Sequence, residues 1–241
     1  GIFDNNKPSI FAPHSIELEA FDLVNQIYLE TLFRKDFAIA IGGEHKLLKL
    51  SYDEDNTKVR LENNNYFSAF GTLKYDSLDD KYYPTSGAYF NGDFHLYFLS
   101  EDFNDVFEQF SIAQAKMGIA TKLIDRVYLN LFTEGGFRIG NNTKPCFDFV
   151  LGGYGNDFIN NYKPFYGYDF LSVDGDSYVK GDIDLHYQFY RKNFLTLSAN
   201  FANIDDGLFK DADWLSVPEY SGYAVGLGSK TLIGPVQVKC S

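Results

Sequence analysis

The stretch that decides the fold is GAYFNGDFHLYFL at residues 87–99, where Ala88, Phe90, Gly92, Phe94, Leu96 and Phe98 alternate with Tyr89, Asn91, Asp93, His95 and Tyr97. A period of two is that of an extended strand, whose successive side chains point to opposite faces. The same dyad recurs in YVKGDIDLHYQFY at 178–190, where Val179, Gly181, Ile183, Leu185, Tyr187 and Phe189 oppose Tyr178, Lys180, Asp182, Asp184, His186, Gln188 and Tyr190. At 194–202 the apolar set is Leu195, Leu197, Ala199 and Phe201, and at 65–75 it is Phe67, Ala69, Gly71, Leu73 and Tyr75. Further strands are expected at 14–22, 24–34, 36–50, 107–121, 125–139, 146–152, 219–229 and 231–241. That gives about twelve strands and no convincing helix, with the phase blurred at 107–121 as a bulge would blur it.

Alternation alone suits a soluble sandwich as well as a membrane barrel, and strand length separates them. Soluble strands average about 5–6 residues, whereas strands that cross a bilayer at a tilt need about 9–11. The segments at 87–99, 125–139 and 178–190 exceed both. Their polar faces are also continuous, with Asp93 beside His95 and Lys180, Asp182, Asp184 and His186 in register. An apolar outer band with aromatic girdles around a polar lumen accounts for both faces. The connections agree: Arg191-Lys192-Asn193 and Ser229-Lys230 read as tight turns, while 205–218 reads as a long acidic loop. The expected fold is therefore all-β, an antiparallel transmembrane β-barrel.

Composition excludes several other classes. Of 241 residues, 18 are Tyr, 24 Phe and one Trp, an aromatic load unlike that of an ordinary soluble domain. No run of about 18 apolar residues is present, so helical membrane spans are not expected. The formal charge of −12, without a Lys/Arg cluster, argues against a nucleic-acid partner. Two cysteines, Cys146 and Cys240, cannot build a disulfide framework. No linker or second composition regime divides the chain, which reads as one domain over 1–241.

Catalytic and cofactor motifs are missing: there is no Gly-x-Ser-x-Gly, Gly-x-Gly-x-x-Gly, P-loop, His-Glu-x-x-His or Cys-x-x-Cys. No cofactor is expected from this chain. His95 and His186 lie on polar strand faces and read as lumen-wall side chains with Asp93 and Asp184 rather than as metal ligands. Asp174-Gly175-Asp176 lacks the spaced carboxylates of a calcium loop and reads as a turn. The acidic connections read as solvated loops, with divalent cations bridging lipopolysaccharide as the alternative.

Two motifs are more specific. Tyr82-Tyr83-Pro84-Thr85-Ser86-Gly87 leads into the strand at 87–99, and Phe147 to Gly153, with the pair Gly152-Gly153, is followed by Phe165-Tyr166-Gly167-Tyr168. In these motifs and their order the chain resembles the BamA-like outer-membrane barrel superfamily, also called the bacterial surface antigen family. There an aromatic-Pro-Thr-x-Gly element enters a mid-barrel strand, here through Tyr83, Pro84, Thr85 and Gly87. A Gly-Gly pair then precedes a loop whose Arg-Gly-aromatic tip folds into the lumen. The resemblance implies that 153–177 is that inward-folded loop, with Gly152, Gly153, Phe165, Tyr166, Gly167 and Tyr168 as its motif. Tyr166 stands where the family carries Arg, which weakens an insertase reading. Gly222 to Gly228 and Ile233-Gly234-Pro235-Val236 look most like the C-terminal barrels of bacterial patatin-like phospholipases.

What the resemblance implies is a bacterial outer-membrane location and a sixteen-strand barrel. On that count the final strand and several initial strands belong to a longer polypeptide. The leading expectation is a barrel that anchors or translocates an N-terminal patatin-like phospholipase domain, the catalytic residues lying outside this chain. A BamA- or TamA-type assembly factor is the alternative, and a secreted carbohydrate-binding β-sandwich is the alternative from another class. Expected partners are outer-membrane lipids and lipopolysaccharide and a periplasmic or catalytic domain on the same polypeptide; a homodimer remains open.

Overall fold

In the computed structural model residues 18–54, 57–101, 107–140, 145–153, 161–169, 172–210, 213–231 and 234–241 are described. The alternating segments become the strands of one antiparallel sheet. These are β1 (Leu18–Phe33), β2 (Phe37–Glu54), β3 (Thr57–Asp76), β4 (Gly87–Ser100), β5 (Phe110–Ile124) and β6 (Val127–Ile139). After three short strands, β7 (Phe149–Leu151), β8 (Tyr162–Lys163) and β9 (Val173–Gly175), the sheet resumes with β10 (Ser177–Tyr190), β11 (Asn193–Asp205), β12 (Tyr220–Thr231) and β13 (Gly234–Cys240). The ten-stranded order is β1-β2-β3-β4-β5-β6-β10-β11-β12-β13, so every wall strand pairs with the next wall strand along the chain. The three short strands form a separate sheet, β8-β7-β9.

Two sequence expectations need correction, and together they turn about twelve wall strands into ten. The segments at 14–22 and 24–34 are one strand over their described part, because nothing between Phe21 and Asn25 can turn the chain. The segment at 146–152 leaves the wall: a 3-10 turn at Pro145–Phe147 and then β7 place Phe149, Val150 and Leu151 all in buried positions. A continuous apolar run of that length fits a wall strand or an interior segment equally well, and here it is interior. The tight turn expected at Ser229-Lys230 also moves, since β12 continues to Thr231 and the connection to β13 falls at 232–233, outside the described residues.

The alternation itself falls as expected. In β4, Phe94, Leu96 and Phe98 are exposed while His95 and Tyr97 are buried; in β11, Leu195, Leu197 and Phe201 face away from buried Thr196, Ser198 and Asn200. The exposed face is thus apolar and the buried face polar and aromatic, the reverse of a soluble protein. A soluble sandwich, which needs a second packed sheet, is not the architecture found. The sheet curls on itself: the β3–β4 connection reaches β12, five pairings away, where Asp80 and Lys230 approach to 2.7 Å.

Connections at one end are short (34–36, 125–126, 191–192) and those at the other are mostly long (101–109, 140–176, 206–219). Two depart from that rule. β2 and β3, of 18 and 20 residues, are separated at the long-loop end only by 55–56, outside the described residues, and residues 77–86 make a ten-residue connection at the short-turn end. An apolar band about 25 Å tall is covered by far fewer residues than β2 and β3 contain, so that hairpin extends well beyond it.

Candidate functional site in the lumen

The enclosed side of the sheet is filled, and different regions fill it differently. On β2 to β5 the wall supplies most of its own bulk, to which the interior segment adds Phe147. Tyr66, Tyr97 and Phe110 meet Phe147 with ring centroids 4.9–5.0 Å apart, and Tyr97 stacks on Phe110 at 4.7 Å. His95 stacks between Phe70 and Tyr97, with Asp93 at 3.2 Å and Ser68 at 3.4 Å. Several charges in the lumen are paired, as burial favours. Lys180 lies 3.0 Å from both Glu134 and Asp182, and Lys46 lies 3.1 Å from Asp22.

Asp93, His95, Asp184 and His186 stand in two separate groups, with both histidines buried and both aspartates half-buried. Asp93 and His95 belong to the cluster just described. His186 bonds Thr196 at 2.8 Å, and Asp184 accepts from the Ser198 hydroxyl. Among the described residues no three metal-binding side chains converge. Asp174-Gly175-Asp176, expected as a turn, is instead the end of β9 and the residue after it: Asp174 and Gly175 pair with β7, and Asp176 accepts from Gly207 N of the β11–β12 connection at 2.7 Å.

The loop motif packs on the inner face. Phe165 is fully buried in one cluster with Phe149 of β7 and with Leu48, Tyr66, Tyr178 and Ile204, residues of strands from opposite parts of the wall. Gly153 N donates to Tyr168 O at 2.9 Å and Phe165 N to Gly153 O at 3.1 Å, which closes the loop on itself. Gly152 is required by its backbone: its φ is +138°, and an added Cβ would lie 2.0 Å from Asp169 O. Arg138 of β6 and Asp148 form an ion pair that ties the loop's entry to the wall. Burial nevertheless raises Asp148 to about pH 6, against the pull of Arg138 and with help from the nearby negative charges of Asp206 and Asp174. Tyr154, Phe158 and Phe170, further aromatics of the loop, lie outside the described residues.

At the tip, Tyr166 and Gly167 press on β12 and β13. Lys239 Nζ donates to the Tyr166 hydroxyl at 2.7 Å, lies 4.9 Å from the Tyr166 ring centre and reaches Ser198 Oγ at 3.3 Å. Asp184 is thereby connected to the loop tip through Ser198 and Lys239. Gly167 N donates to Ser241 Oγ at 3.3 Å, and Tyr168 packs edge-on against Tyr220 at 5.8 Å. The close approach of loop to wall is made at Gly222, not at Gly167. An added Cβ at Gly167 would meet only Gly222 Cα at 3.9 Å, whereas one at Gly222 would lie 1.9 Å from Tyr166 O. Gly167 matters through its φ of +77° instead.

The strand-entry motif closes the short-turn end. Asp79 accepts from Thr85 N at 2.7 Å and Ser86 N at 3.1 Å, and Asp80 accepts from Tyr83 N at 2.8 Å and Tyr82 N at 2.9 Å. Partial burial would raise both carboxyls, but the bonds from Thr85 and Ser86, and from Lys230 and Tyr83, hold them below the usual carboxylate range. Gly87 has φ +115°, and an added Cβ would lie 2.3 Å from Ser77 O, so the strand can start there only with glycine. Tyr83 is driven into the lumen, where it stacks on Phe194 at 4.5 Å and meets His186 edge-on at 5.5 Å. Asn130, with its amide turned to suit both neighbours, donates to Pro84 O at 3.1 Å and accepts from His186 Nε2 at 2.9 Å.

Sequence reasoning missed Lys239 and the part played by the inner face of β12. The signal was available: the inward positions of that strand are Gly222, Ala224, Gly226 and Gly228. A face without side chains must be filled from elsewhere.

An apolar outward face, a filled polar lumen and an inward loop between β6 and β10 define an outer-membrane β-barrel. The sequence profile of the OMP85 superfamily matches residues 2–241, and the chain belongs to that superfamily; its place is the bacterial outer membrane. The fold matches the crystal structure of BamA from Haemophilus ducreyi lacking POTRA domains 1–3, with a TM-score of 0.65 and 11% identity. That match covers 93% of this chain and 50% of the other, so the chain spans about half the length of that structure. No curated protein matches the sequence.

Proposed function

We propose that this barrel is the membrane-embedded part of a larger polypeptide and that it anchors or translocates an attached N-terminal domain of the patatin-like phospholipase type. The observation that carries this reading is the loop tip: Tyr166 takes the position of the family's Arg, and the tip is held by Lys239 of the wall. A lumen so filled suits an anchor better than an open pore. Outer-membrane lipids and lipopolysaccharide contact the exposed apolar face, and a homodimer is compatible with it.

A BamA- or TamA-type assembly role is the second reading, favoured by the fold match to the BamA barrel. The two are separated by isolating the intact protein from outer membranes and labelling it with a fluorophosphonate, which reacts with serine hydrolases. The phospholipase reading expects labelling of the barrel-bearing polypeptide and hydrolysis of phosphatidylglycerol vesicles. Failure to label, with loss of other outer-membrane proteins on depletion, would replace it with the assembly reading. Failure of both would remove both.

A further inference from the structure

The glycine furrow of β12 is shared by closures that come from opposite mouths of the lumen. Tyr166, from the long-loop end, has its carbonyl over Gly222. Tyr83, from the short-turn end, has its hydroxyl over Gly228, where an added Cβ would lie 1.7 Å away. Between these seats the Lys239 stem crosses Gly226, where an added Cβ would meet Lys239 Cγ at 2.8 Å. Inward positions two residues apart on a strand are separated by about 6.8 Å, so the Lys239 and Tyr83 seats adjoin.

We propose that Lys239 and the furrow of β12 couple the two closures, the loop tip at 165–168 and the turn at 77–86, so that displacing either one loosens the other. Each closure is held by weak, breakable contacts, not by covalent or ladder bonds. Lys239 of β13 holds the first through the Tyr166 hydroxyl at 2.7 Å, while Lys230 of β12 holds the second through Asp80 at 2.7 Å. The ammonium of Lys239 also acts on Tyr83, whose phenol is raised by burial and drawn back by that positive charge. The Tyr83 hydroxyl has no hydrogen-bond partner among the described residues, so it is the group that Lys239 can reach when Tyr166 leaves. Movement of Tyr166 thus changes the cation beside Tyr83 as well as the packing of the strand that seats it.

The coupling is independent of which domain is attached to the barrel and is read by hydrogen exchange on the intact protein in lipid nanodiscs. The reporters at the short-turn end are the amides of Tyr82, Tyr83, Thr85 and Ser86, which the Asp79 and Asp80 carboxylates hold. Tyr166→Ala, which touches none of these amides, is expected to speed their exchange about tenfold. Tyr83→Ala is expected to speed the Gly153 and Phe165 amides in return, as coupling between sites is reciprocal. Lys239→Met should loosen both ends and Lys239→Arg should restore both, while Tyr223→Ala on the outer face of β12 should change neither. Should Tyr166→Ala lose the heat-modifiable migration of a folded barrel, Tyr166→Phe removes only the hydroxyl and is read the same way. Faster exchange confined to 165–168, with 82–86 unchanged, would overturn the coupling.

Discussion

The wall at β2 to β5 and the wall at β12 face the same lumen and fill it by opposite means. The first carries its own bulk, in Tyr66, Phe70, His95, Tyr97 and Phe110, packed ring against ring along the strands that bear them. The second is bare and receives its bulk from the loop tip, the turn at 77–86 and the neighbouring strand. Filling by a strand's own side chains cannot be withdrawn without breaking the wall. Filling that is imported can leave while every ladder bond stays in place, and a barrel that must respond to a partner would need it there.

The largest expected effect tests the fixed half. Tyr66 is completely buried, and Tyr66→Ala should cost about 3–5 kcal/mol in a guanidinium titration of the folded barrel, as loss of a large core aromatic does. A cost below about 1 kcal/mol would mean that the aromatic cluster can be replaced by loop or water as freely as the filling of β12. The next effect tests whether both halves present one wall to lipid. Leu96→Arg beside the fixed half and Leu197→Arg beside the imported half should each cost about 2–4 kcal/mol, whereas inward Lys116→Arg should be nearly neutral. Unequal costs for the two leucines would place one of them outside the apolar band.

Smaller effects separate the two halves more finely. Gly222→Ala should cost about 1–3 kcal/mol, because the loop backbone at Tyr166 must move. It should raise protease sensitivity within 165–168 without loss of heat-modifiable migration. Gly181, where an added Cβ meets nothing within 4 Å, is the matched control.

The smallest effects concern acid, and the two mouths should respond with opposite sign. Asp148 binds its proton more tightly folded than unfolded, since it is raised to about pH 6. The folded state therefore gains relative stability as pH falls through that value and loses it as pH rises. Asp79 and Asp80 are lowered, so their stabilisation is present above the ordinary carboxylate range and is lost as pH falls through their folded values. Lowering the pH from 7 to 5 should tighten the inward-folded loop and leave the 77–86 turn unchanged, and Asp148→Asn should abolish the first response. Exchange rates at Phe165 and Thr85 across that range give the check.

Which parts of this were legible in sequence follows from what period-two patterning can report. It reports faces, so the outward sets of β4, β10 and β11 and the inward placement of Asp93, His95, Asp184 and His186 could be read from it. It does not report where an interior segment leaves the wall, and the segment at 146–152, apolar on both sides from Phe149 to Leu151, reads as one more strand. Nor does it report contacts across the lumen. Tyr83 on His186 and Lys239 on Tyr166 join residues far apart in sequence, and only the run of small inward residues on β12 hinted that something had to lie there. The loop motif was legible as a pattern of glycines and aromatics. Its anchor was not, because the cation holding Tyr166 sits on another strand.

The central claim is that the loop tip lies inside the barrel, and thiol accessibility on intact cells tests it most directly. In a background with Cys146 and Cys240 replaced by Ser, Phe165→Cys and Val217→Cys are treated with a membrane-impermeant maleimide. Val217, in the β11–β12 connection, is 88% exposed and Phe165 is 1% exposed. Rapid labelling at 217 with none at 165 until the barrel is denatured is the predicted result. Equal labelling at both positions would place the loop outside and contradict the account.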